Sequence, residues 1–84
     1  MSTTDLIIKK ATFRKEMKAD CIKWRKMLKK NHVSMTDAHN AFSEKYPETM
    51  GYDGFYKAIN QGGFGYDNYL RAKEFFTELE NRLN

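Results

Sequence analysis

Eighty-four residues with six Phe, five Tyr and one Trp supply one hydrophobic core and leave no material for a second domain. One proline, five glycines and a single cysteine, Cys21, exclude a disordered composition and any intrachain disulfide. The net charge of +4 is divided unevenly: residues 1–30 hold ten Lys or Arg against three acidic residues (+7), whereas residues 31–84 hold five against eight (−3).

The N-terminal segment has only the short apolar run Leu6-Ile7-Ile8 and no small-residue cleavage site, so it does not read as a signal peptide. No stretch has the length of a membrane span. With the lone cysteine, these features predict a cytoplasmic protein that does not enter a membrane. Residues 1–11 read as a short N-terminal arm, within which Asp5 to Lys9 fits an arm, a strand or an extra helical turn.

At about 100° per residue, Phe13, Met17, Cys21, Trp24 and Leu28 fall on one stripe and predict a helix over 12–30. Lys10 would interrupt that stripe, which makes Thr12 the expected N-cap. The opposite side of this helix carries Arg14, Lys18, Arg25 and Lys29 around Ile22. Ser34, with Asp37 three residues on, is a second N-cap, and Met35, Ala38, Phe42 and Tyr46 form the next apolar stripe before Pro47 stops it. A third helix is expected over 52–61, with Tyr52, Phe55, Tyr56 and Ile59 inward and Asp53, Gly54, Lys57, Asn60 and Gln61 outward.

Gly62-Gly63-Phe64-Gly65 ends that helix, with Phe64 tucked into the core. It does not read as a phosphate loop, because it follows a helix and lacks a closing Lys-Ser/Thr pair. The last helix, 66–83, repeats Tyr69, Ala72, Phe76, Leu79 and Leu83 at heptad spacing. Two heptads are too few for an independent coiled coil, so Leu79 and Leu83 serve either a homodimer through this helix or core closure against Leu6 to Ile8. The fold class predicted is all-α, a four- to five-helix bundle in one domain spanning 1–84.

The soft-metal ligands Cys21, His32 and His39 lie without paired spacing, and Cys21 sits on an apolar stripe that disfavours a thiolate. No carboxylate pair stands out. The sequence therefore predicts no catalytic site, no metal and no cofactor.

From Ser34 to Gly62, a capped amphipathic helix, a break and a short helix with one polar face precede a glycine turn and a final packing helix. This pattern resembles the lambda-repressor-like helix-turn-helix domains, especially small bacterial and phage members with a Gly-x-Phe turn after the recognition helix. The resemblance covers residues 12–80, and it implies a helix-turn-helix domain that binds double-stranded DNA as a non-catalytic transcriptional regulator. It further implies that Tyr52, Asp53, Gly54, Lys57 and Asn60 lie near the DNA, with Tyr56 partly buried. Ser34, Thr36 and Asn40 would then lie beside phosphates, and a two-fold dimer would suit paired half-sites.

This chain departs from the family in the longer connection through Pro47 to Gly51. It also departs in a recognition helix whose Lys57 is opposed by Asp53. Most positive charge lies instead on the first helix, where Lys18, Arg25 and Lys29 suit phosphate contacts. The same charge, or the seam of the C-terminal helix, would equally suit a protein partner, with the chain acting as an interaction module, an inhibitor or adaptor, on a similar scaffold.

Overall fold

The first helix is capped by Ser2 rather than by the expected Thr12. In the computed structural model, which describes residues 2–83, Ser2 Oγ accepts the Asp5 N–H at 3.2 Å and begins α1, Thr3–Lys30. The expected arm is thus helical from Thr3 onward. Apolar spacing reports where a helix is covered, and every residue from 2 to 12 is exposed. Lys10 breaks the stripe because the packed part of α1 begins only at Phe13. The three turns before it rest on local interactions: the serine cap and Asp5 near the positive end of the helix dipole.

At its other end α1 closes on His32, which takes a left-handed φ of 57°. The Val33 N–H then reaches back to the Leu28 carbonyl at 2.9 Å, which satisfies a carbonyl the helix end would leave unpaired. α2 spans Met35–Lys45, with Ser34 Oγ accepting the Asp37 N–H at 3.1 Å as the sequence predicts. Beyond Tyr46, Thr49 Oγ1 donates to the Tyr46 carbonyl at 2.7 Å, and Glu48 bends the connection with a φ of 60°. α3 covers Tyr52–Gln61 and ends on Gly62, also left-handed at φ 66°. α4 covers Tyr66–Leu83, matching the expected 66–83.

The chain is all-helical over the described residues. α3 packs against α1 and α2 on one side, and α4 packs against the same two helices on the other, so the order around the bundle is α1, α3, α2, α4. Each helix and the α3–α4 turn contribute an aromatic ring to the centre. Trp24 stacks on Phe76 at 4.7 Å, Phe55 lies 5.2 Å from Phe42, and Phe64 meets both Trp24 and Phe55 edge-on. Phe42, Phe55 and Phe76 are fully buried, and this aromatic overlap offsets the small size of the core. At the edge of the core the buried Tyr69 hydroxyl donates to Asp20, which together with burial raises its pKa.

The apolar stripes of α1 and α2 lie as expected, with Met17, Cys21, Trp24, Leu28, Ala38 and Phe42 buried. α3 differs. Phe55 and Ile59 point inward, but Tyr52 and Tyr56 are 39% and 48% exposed, and Ala58 takes the remaining inward position against α1. In α4 the seam holds for Tyr69, Ala72 and Phe76, joined by Phe75, while Leu79 is half-buried and Leu83 exposed.

α1 and α4 run in the same direction. Phe13 lies 5.3 Å from Tyr66 near their beginnings, and Lys23 pairs with Glu80 at 3.6 Å further along. Leu6 to Ile8 consequently project past the start of α4, at the opposite end from Leu79 and Leu83. The expectation that these two groups cap one another is overturned by this parallel course. No helix among the described residues is long and apolar enough to cross a membrane.

Candidate nucleic-acid interface

The helical repeat turns residues 14, 18, 22, 25 and 29 of α1 to one side, away from the core stripe. Four of the five are cationic: Arg14, Lys18, Arg25 and Lys29. At about 1.5 Å per residue the row is roughly 22 Å long. The ion pairs among the described residues engage Lys23, Lys45 and Arg82, and none engages this row. Lys26, one turn beyond Ile22, adds a fifth cation, and it lines a shallow depression with Ile22, Arg25 and Lys29.

Long-range packing sets the row beside α3. A crevice of about 130 Å³ is lined by Lys18, Ile22 and Arg25 from α1 and by Ile59, Asn60 and Gly62 from the end of α3. Lys18 and Arg25 thus border the C-terminal half of α3. The carbonyls at that helix end carry partial negative charge, which steadies both cations without neutralising them. Arg25 is half-buried, and its Nε is sequestered without a hydrogen-bond partner among the described residues. Lys18 and Lys29 are exposed.

On α3, Asp53, Gly54, Lys57 and Asn60 are all exposed, as the polar-face assignment requires. Asn60 Nδ2 donates to the Tyr56 carbonyl at 2.9 Å, which ties the carboxamide to the helix and leaves its oxygen without a hydrogen-bond partner among the described residues. Tyr52 and Tyr56 stand 6.0 Å apart on the flank toward α2, where the ring of His39 meets Tyr52 at 5.9 Å. His39 also hydrogen-bonds with the Met50 carbonyl at 2.9 Å and with Ser43 at 3.2 Å. Its Nε2 therefore braces the α2–α3 connection.

On α2, Ser34, Thr36 and Asn40 are exposed, and the Ser34 hydroxyl is committed to its cap. Besides the exposed Tyr52, Asp53, Gly54 and Lys57 of α3, the candidate residues fall into two groups. Lys18 and Arg25 adjoin Asn60 across the crevice, and Lys29 lies farther along the same row of α1. Ser34, Thr36 and Asn40 belong to α2, on the far side of α3 from α1. Arg14, Lys26 and Gln61 extend the first group beyond the sequence-based selection. Lys26 carries a readable signal, its helical spacing from Ile22 and Lys29, whereas the placement of Gln61 follows only from the α1–α3 packing.

A wider groove of about 700 Å³ runs between the α2–α3 connection and the start of α4, lined in part by Lys45, Tyr46, Glu48, Tyr66 and Arg71. Lys45 there is bound to Glu78, and that pairing raises the Lys45 pKa and lowers the Glu78 pKa. Glu48 and Asp67 in the lining offset Arg71, so the groove has little net positive charge to offer an anion. Among the described residues no group of three His, Cys, Asp or Glu is placed to hold a metal ion. Cys21, at the floor of the crevice, has its pKa raised from 9.0 to about 11, chiefly by burial and then by the Asp20 carboxylate, so its thiol stays protonated at neutral pH.

Comparison of the chain with models of known protein families, with curated proteins and with solved structures finds no match.

Proposed function

We propose that this protein is a non-catalytic DNA-binding protein that grips the duplex backbone with the outer row of α1 and presents the exposed face of α3 to the base edges. The reading rests on one observation: five cations without acidic partners among the described residues, Arg14, Lys18, Arg25, Lys26 and Lys29, line one side of α1, and Lys18 and Arg25 border the end of α3. A row of this length and charge suits a polyanion of regular spacing. Phosphate contacts position a protein, and groups on the adjoining helix read sequence. Here Lys57 and the carboxamide oxygen of Asn60 are the groups available for reading. A role in transcriptional regulation would follow from occupancy of the duplex alone, since it requires no chemistry.

The test is equilibrium binding to labelled duplex DNA by fluorescence anisotropy over a range of salt. If four or five of the cations contact phosphate, log K should fall with log salt at a slope of about −3 to −5. Replacing Lys18, Arg25 and Lys29 with Gln should weaken binding to every duplex alike and flatten the slope by about 2 to 3. Lys57→Ala and Asn60→Ala should instead narrow the difference between preferred and random duplexes. A parent protein that binds no duplex at low salt refutes the proposal.

One feature favours a second reading, a protein-interaction module: Tyr52 and Tyr56 make the exposed face of α3 aromatic and only weakly charged, as interface centres are. On that reading Tyr56→Ala abolishes partner binding and the Gln triple variant does not.

A further inference from the structure

Three exposed isoleucines of α1 have no part in the core. Ile7, Ile8 and Ile22 are 62%, 57% and 45% exposed, and none of them packs on the buried cluster. Two of them belong to a second stripe. Ile8, Ala11, Lys15, Ala19, Ile22 and Lys26 recur at spacings of three and four, are all exposed, and share an arc of about 80° at about 100° per residue. The packing of the bundle leaves this arc bare. α3 meets α1 at Lys18 and Cys21, and α4 meets it at Phe13, Asp20 and Trp24, so neither neighbour covers the stripe. Ile7 adjoins the arc one turn ahead of Ala11.

The charge on this face is of one sign. Lys15, Lys26 and Lys29 lie on the arc and Lys18 borders it, and none of the four has an ion-pair partner among the described residues. The acidic residues of α1, Asp5, Glu16 and Asp20, all fall outside it on the flank toward α4. A duplex backbone would account for the lysines but offers the isoleucines no apolar surface. The centre of a protein interface is a packed cluster rich in aromatic residues. Here the apolar groups are aliphatic and strung out singly, with Ile8 and Ile22 about 21 Å apart and Lys15 between them. An anionic bilayer matches both features. Its fluid surface admits isolated aliphatic side chains between headgroups, and it attracts lysines whose stems lie along the apolar layer while their ammonium groups stay at the lipid phosphates.

We propose that the bare face of α1 lies on an anionic phospholipid surface, with Ile7, Ile8 and Ile22 inserted between the headgroups and Lys15, Lys26 and Lys29 at the lipid phosphates. From Ile8 to Lys26 the stripe runs about 27 Å, so the helix axis lies parallel to the bilayer and the core stripe turns away from it. The association is confined to the surface, because no helix among the described residues is long and apolar enough to cross. The first turns project past the start of α4, which leaves Ile7 and Ile8 clear of the rest of the bundle. The inference does not rest on the DNA-binding reading, because the isoleucines that carry it take no part in phosphate contacts.

Co-sedimentation of the full chain with vesicles of phosphatidylcholine, alone or mixed with phosphatidylserine, provides the test. The parent should pellet with the phosphatidylserine vesicles and stay in solution with the neutral ones. Ile7→Ser/Ile8→Ser should weaken binding about tenfold with its helical circular dichroism retained. Lys15→Gln/Lys26→Gln should weaken it by about fivefold for each charge removed. In an Ile8→Trp variant the added indole should shift its emission to the blue on anionic vesicles, against the constant background of the buried Trp24. A parent that stays in solution with anionic vesicles at low salt overturns the proposal, as does equal binding to neutral vesicles. Binding that Ile7→Ser/Ile8→Ser leaves unchanged, with no emission shift in Ile8→Trp, overturns it in favour of phosphate attraction alone.

Discussion

Replacing Gly62 with alanine isolates the contact that sets α1 against α3. Gly62 ends α3 at φ 66°, and a Cβ built there would lie 2.9 Å from Lys18 Cγ and 3.3 Å from Lys18 Cα. The first contact involves the stem of the lysine and the second its backbone, so neither is relieved by swinging the ammonium end away. Holding a non-glycine residue in the left-handed region costs roughly 1–2 kcal/mol, which the reduced freedom of the unfolded chain offsets by about 0.4–1 kcal/mol. Forcing a methyl into the packed junction adds about 1–3 kcal/mol. The net loss expected is about 1–5 kcal/mol. A domain of this size has a total stability on the order of 4–13 kcal/mol, so the loss is a large fraction of it.

Urea unfolding followed by both Trp24 fluorescence and far-ultraviolet circular dichroism measures the change. Gly63 supplies the control, because its Cβ would meet nothing within 4 Å and its φ is not left-handed. Gly63→Ala should stay within about 0.5 kcal/mol of the parent. Gly62→Asn separates the two costs, since asparagine tolerates the left-handed backbone yet still brings a Cβ to Lys18. It should fall between the parent and Gly62→Ala. Equal midpoints for Gly62→Ala and Gly63→Ala would refute the argument that close approach and backbone conformation together require glycine at this position.

Trp24→Ala should cost about 3–5 kcal/mol by opening the centre of the core against Phe64, Tyr69 and Phe76, and the native parent should show the blue-shifted emission of a shielded indole. His32→Gly should raise stability by about 0.5–1 kcal/mol, because the left-handed strain removed exceeds the entropy added to the unfolded chain; a lower melting temperature contradicts this. Cys21 makes stability sensitive to alkali. Its folded pKa of about 11 exceeds the unfolded value of 9.0, so its contribution is complete below pH 9 and is lost as the pH rises through about 11. The upward shift of Tyr69 acts in the same direction. Denaturation midpoints for Cys21→Ala should therefore decline less steeply than those of the parent between pH 9 and 11, by about 2–3 kcal/mol in all.

Much of this fold can be read from spacing, because spacing records which side of a helix is covered. The run Met17, Cys21, Trp24, Leu28 is buried on α1 as its periodicity requires, and Ser34 and Gly62 mark helix ends through chemistry that is local to them. Spacing does not record how wide the covered arc is. α4 lies between α1 and α2 and hides adjacent Phe75 and Phe76, whereas Tyr56, adjacent to the buried Phe55 on α3, turns into solvent. Nor does it reveal a helix that nothing covers, which is why the first turns of α1 escape a reading based on apolar stripes.

The candidate interface divides along the same line. The cationic row of α1 is a property of one helix and is visible in its sequence. Its adjacency to Asn60 is made by the approach of Lys18 to Gly62, forty-four positions apart, and no local pattern encodes it. That dependence ties function to packing. If Lys18 and Arg25 hold phosphates while Asn60 reads a base, Gly62→Ala moves the two sets of contacts relative to each other. Such a protein should keep its salt-dependent affinity for any duplex, because the row on α1 is intact. It should lose discrimination between duplexes, because the base-reading side chain no longer stands at a fixed distance from the phosphates. An equal loss on preferred and random duplexes would instead assign the whole interaction to α1.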